Sequence, residues 1–196
     1  MGFDVGSLLR HDDLRRAVIP RTQGHAERDM KRYLAYVAFI LVLAPLEATL
    51  PRLPLLHDVR PLLLVSLVLF FSLRLNTVEG LLLSALAGAV GEATIGFPPG
   101  LVSFTLVALF VAARVALAAV RADGPVFEAI LAFIMGAGFH AIIFGLRRAF
   151  EGPTQLGNEW LSLHLWACVA TALATPFVTS VARRIERLQV KSAGLL

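Results

Sequence analysis

Four ionisable side chains sit inside stretches that otherwise hold almost nothing but apolar residues: Glu47, Glu92, His140 and His164. Such groups are costly in hydrocarbon and face a bundle interior, a cavity or a partner, so the chemistry they offer is an ion pair or a shared polar pocket. At 1.5 Å per residue, Glu47, Glu92 and His140 each fall roughly 21 to 22 Å above the inner boundary of their segments, and His164 reaches about the same level on the way down. The expectation is that Glu92 and His140 meet, or line one outward-facing polar pocket. The alternative is that all four reach the headgroup region independently.

Catalytic constellations are lacking. The chain holds no H-E-x-x-H, no G-x-S-x-G and no phosphate-binding Walker loop. His140 can be paired on paper with Ser103 or Ser162, but a Ser and a His in an apolar bundle more often pack or hydrogen-bond. The single Cys168 excludes an internal disulfide and leaves thiolate metal sites without support. The expectation is a protein that is not an enzyme and carries neither cofactor nor metal.

The elements that must position these groups are membrane helices. With 57% hydrophobic and 16% charged residues and a mean hydropathy of +0.75, the chain cannot coat a soluble globule. The apolar runs 33–50, 61–75, 78–95, 101–120, 125–146 and 160–181 predict an all-α, six-helix polytopic fold. Pro61 opens the second, which is short; Pro51 closes the first. The membrane domain is therefore 33–182, between a basic segment 1–32 and a tail 183–196.

In the third run, Gly80, Ser84, Gly88 and Glu92 recur every four residues with Gly91 alongside, which gives a helix one thin face. Small residues so spaced let two backbones approach closely, and the helix 78–95 is expected at the centre of the bundle. The plainer alternative is that Gly and Ala are simply common in membrane helices. Gly96, Pro98, Pro99 and Gly100 then form the turn GFPPG.

Fourteen of the eighteen Lys and Arg residues fall inside if the N-terminus is cytoplasmic, against four (Arg52, Arg60, Arg147 and Arg148) outside. That asymmetry predicts both chain ends in the cytoplasm, with Trp160 and Trp166 near the outer interface. The net charge of +4 is thus a matter of topology, and no folded basic domain supports nucleic-acid binding. Within 1–32, either a short helix from Ser7 to Ile19, stopped by Pro20, lies on anionic membrane lipid, or the segment is a mostly disordered basic tail.

The order of a short outer loop LPRLPLLHDVRP, the helix PLLLVSLVLFFSLR, a tight turn with Gly80, and GAVGEATIGFPPG leading into another helix resembles the rod-shape-determining MreD family. The matching positions are Pro61, Gly80, Gly88, Gly91, Glu92, Gly96 and Gly100; the likeness covers 33–120, and the rest only by hydropathy. Glu92 stands where the family usually has Asp, and the basic N-terminal segment is longer than typical. The resemblance implies a non-catalytic scaffold of the bacterial inner membrane, associated with a single-span MreC-like protein, MreB, RodA and a class B penicillin-binding protein. MreD is also similar in architecture to the six-helix substrate-binding components of energy-coupling-factor vitamin transporters, which supplies an alternative: a small-molecule transporter component using the outer pocket around Glu92 and His140.

Overall fold

A computed structural model describes residues 11–50, 59–119, 124–151 and 158–193, with side-chain environments for 30–50, 59–119, 124–150 and 162–187. Within these residues the chain is all-helical: α1 His11–Thr49, α2 Leu63–Arg74, α3 Thr77–Ile95, α4 Leu101–Ala119, α5 Pro125–Glu151 and α6 Asn158–Ala193. Five of the helices carry a span long and apolar enough to cross a membrane; α2 does not.

The six helices alternate in direction, which brings the start of the α1 span and the close of α6 to one end of the bundle. There Tyr36 donates to Glu186 at 2.7 Å, and Arg183 pairs with Glu128 at the start of α5. The opposite end holds Thr49, the GFPPG turn, the end of α5 and the start of the α6 span. Many large apolar side chains point outward, among them Leu41, Val42, Leu82, Val115, Ile134 and Phe177. Such a surface suits lipid, and the chain reads as a multi-pass membrane protein.

The centre belongs to α2 rather than to α3. Every residue from Leu63 to Ser72 is buried, and α2 packs against each of the other five helices. At 12 residues it is about 18 Å long, short of a hydrocarbon core of roughly 30 Å. The small face of α3 instead serves two neighbours closely: a Cβ at Gly80 would overlap the Phe110 ring of α4, one at Gly88 would overlap the Ser103 backbone of α4, and one at Gly91 would come within 2.8 Å of Leu64 of α2.

At its N-terminal end α1 differs from expectation. The helix runs 39 residues without a break and continues through Pro20, where the missing N–H forgoes one intrahelical bond. It also crosses residue 32, so the basic segment and the first span share one helix; Ser7 lies outside the described residues. Likewise α6 extends 36 residues, carrying Pro176 within it.

Candidate functional site

Burying α2 creates a problem at each of its ends, because the first N–H groups and last carbonyls of a helix have no partner within it. Leu62, which precedes α2, offers no side-chain cap. Neighbouring helices supply what is missing. The Glu47 carboxylate on α1 accepts the Leu64 N–H at 2.9 Å, and Thr171 Oγ1 on α6 accepts the Leu62 N–H at 2.9 Å. At the other end Arg114 on α4 donates to the Ser72 carbonyl at 3.0 Å and to Thr77 Oγ1 at 3.3 Å. An acid at the N-terminus and a cation at the C-terminus also oppose the helix dipole. Ser66 and Thr175 share a hydrogen bond at 2.8 Å further along the α2–α6 seam.

Glu92 does the same service for α4. The helix follows Gly100, which has positive φ (+88°) and no side chain with which to cap its successors. The Glu92 carboxylate takes over, accepting the Gly100 N–H at 2.8 Å and the Ser103 N–H at 2.7 Å. Its own carbonyl accepts the N–H of Gly96, whose left-handed backbone (φ +80°) ends α3. One residue therefore fixes both edges of the turn that Pro98 and Pro99 stiffen. Glu92 is buried in this position and does not meet His140.

His140 meets His164 instead, with ring centroids 4.3 Å apart at 82°. Both line a cavity of about 260 Å³ at the GFPPG end of the bundle, together with Glu47, Arg60 and Arg147. Three of the four groups that the sequence assigns to one layer thus share a cavity, and Glu92 is absent from its lining. His140 Nε2 is buried without a hydrogen-bond partner among the described residues. Arg147 stacks over the Phe97 ring at 5.1 Å, and Arg60 donates to the Ala48 carbonyl at 2.9 Å. The walls between are apolar, including Val102, Leu106, Phe139 and Ile143.

Among the described residues this lining contains no Ser, Thr or Cys, and neither Ser103 nor Ser162 belongs to it. What the cavity presents is a pair of cations, a pair of imidazoles and the Glu47 carboxylate on an apolar frame. Sequence reasoning used Arg60, Arg147 and Arg114 only as markers of topology. Arg114 inside the run 101–120, and Arg60 and Arg147 directly flanking the runs 61–75 and 125–146, were a usable signal, since a cation there seeks a specific partner. No group of three or more His, Cys, Asp or Glu suited to a metal ion occurs among the described residues. No protein-family model, curated protein or solved structure matches the chain.

Proposed function

We propose that this chain is a non-catalytic membrane scaffold regulating bacterial cell shape and lateral peptidoglycan synthesis, an MreD-like component of the elongation complex with both chain ends in the cytoplasm. The observation that carries the reading is Glu92. In the stretch that resembles MreD the acidic residue is committed to backbone N–H groups of the next helix, which suits a fold-locking role rather than a chemical one. The turn it locks, GFPPG, projects exposed Pro98 and Pro99 from the bundle as a rigid contact for a partner. The partner is a single-span MreC-like protein, through which MreB, RodA and a class B penicillin-binding protein are linked. The other outer contact on this reading is the loop 151–159, of which residues 152–157 lie outside the described residues.

Depleting the protein in the rod-shaped cell that makes it is expected to round the cells, and affinity purification from solubilised membranes to recover a single-span protein by mass spectrometry. Unchanged rods and no such protein would overturn the reading. The cavity lined by Arg60, Arg147, His140 and His164 favours a second reading, the substrate-binding component of a vitamin transporter. That one requires a vitamin retained after detergent extraction.

A further inference from the structure

The cavity has a neighbour. Beside Arg147 an apolar groove of about 410 Å³ runs between the start of α4 and the end of α5, walled by Pro99, Leu101, Phe104, Leu146 and Phe150. Phe104 is 60% and Phe150 83% exposed, so the groove opens on the surface of the bundle. Arg147 lines both spaces. Its stacking on Phe97 holds the guanidinium where the apolar groove and the polar cavity join.

Charge decides what such a junction suits. Glu47, the acid in the cavity, is already engaged with the N-terminus of α2. Arg60 reaches only a carbonyl, and neither it nor Arg147 has an ion-pair partner among the described residues. A guanidinium at the membrane boundary seeks an anion, and its planar fork matches the oxygens of a phosphate. The unpartnered Nε2 of His140 adds a further polar contact deeper in the cavity. Together the two spaces fall in the range of small-molecule sites, on the order of 300 to 1,000 Å³.

We propose that this junction binds an anionic membrane lipid, with its phosphate in the cavity beside Arg147 and Arg60 and one of its chains in the groove along Phe104 and Phe150. The inference needs only the membrane-spanning bundle and not the scaffold reading, so failure of one leaves the other standing.

The test uses the full chain in a neutral detergent, mixed with dioleoylphosphatidylglycerol or uncharged dioleoylglycerol and examined by native mass spectrometry. The wild type is expected to retain one phosphatidylglycerol in clear preference to dioleoylglycerol. Arg147→Ala should lower that retention about tenfold, and Phe150→Ala should lower it by a smaller factor. Arg148→Ala, an exposed cation that lines neither space, should change nothing. Gel filtration of each variant reports whether the bundle is intact. Equal retention of dioleoylglycerol would overturn the proposal, as would equal losses in Arg147→Ala and Arg148→Ala. So would displacement of the lipid by equimolar inorganic phosphate, which would leave the groove without a role.

Discussion

Glu92 on α3 accepts the backbone N–H of Ser103 on α4 at 2.7 Å, and the Ser103 backbone in turn fills the space that a side chain at Gly88 would need. One contact between two helices is therefore secured twice, by a carboxylate that caps and by a glycine that lets the cap come within reach. Glu92→Ala leaves two N–H groups without their acceptor and is expected to destabilise by about 1–3 kcal/mol. Glu92→Gln keeps one acceptor oxygen and should cost less. Thermal denaturation followed by gel filtration in detergent gives the order, and a Glu92→Ala variant as stable as the wild type would refute the capping role.

Gly88→Ala attacks the same contact from the other side. Its Cβ overlaps backbone, which cannot swing away as a flexible side chain can, so α3 and α4 must separate. A cost of about 1–3 kcal/mol is expected, with Gly145→Ala, where a Cβ meets nothing within 4 Å, as the harmless comparison. The stability difference between these two substitutions is the measurement; equal values would mean that α3 and α4 do not depend on close approach.

The number of helices was legible because an apolar run of bilayer length admits few readings, and Pro51, Pro61 and the GFPPG turn mark where four of them end or begin; the polar extensions of α1 and α6 were not, since they leave the apolar runs. Nor was the centre of the bundle. PLLLVSLVLFFSLR carries Ser66 and Ser72 and is no more apolar than the run 101–120, whose Phe104, Val111 and Val115 are exposed, and in a bilayer an apolar face serves lipid as well as protein. The partners of Glu47 and Glu92 were not legible. A sequence names side chains and hides which backbone groups lack partners, so an acid across from a histidine looked like a pair. A glycine at the start of α4, with an acid eight residues earlier, was the available hint.

The two ends of α2 give a prediction about independence. Glu47→Ala removes the acceptor for the Leu64 N–H, and Arg114→Leu removes the donor to the Ser72 carbonyl. Each leaves a buried backbone group unsatisfied, for about 1–3 kcal/mol. They share no partner, so the double variant should lose the sum to within roughly 0.5 kcal/mol. A strongly smaller combined loss would show that the ends communicate through α2.

Charge exchange separates the two arrangements of the ionisable groups. If Glu92 paired with His140, the damage from Glu92→Lys would be repaired by adding His140→Glu. In this structure His140 faces His164, and a lysine at 92 would bring positive charge against the N–H groups of Gly100 and Ser103. The double variant is therefore expected to remain at least as unstable as the single one. Recovery of wild-type thermal stability would restore the direct pair.

Orientation across the membrane determines which solution the cavity faces, and it follows from charge rather than from packing. With fourteen of eighteen cations on the side of the chain ends, those ends are expected inside. The test replaces Cys168, which is buried, with serine and introduces single cysteines at positions 20, 98 and 190. A thiol reagent that cannot cross the membrane should modify position 98 in intact cells and reach 20 and 190 only after the cells are opened. Position 98 is well suited because Pro98 is exposed and sits in the turn between α3 and α4, at the same end of the bundle as Arg60 and Arg147. Labelling of 20 and 190 with 98 protected would turn the cavity toward the cytoplasm. The phosphate of any lipid bound beside Arg147 would then come from the inner leaflet, and an outer contact at GFPPG would be lost.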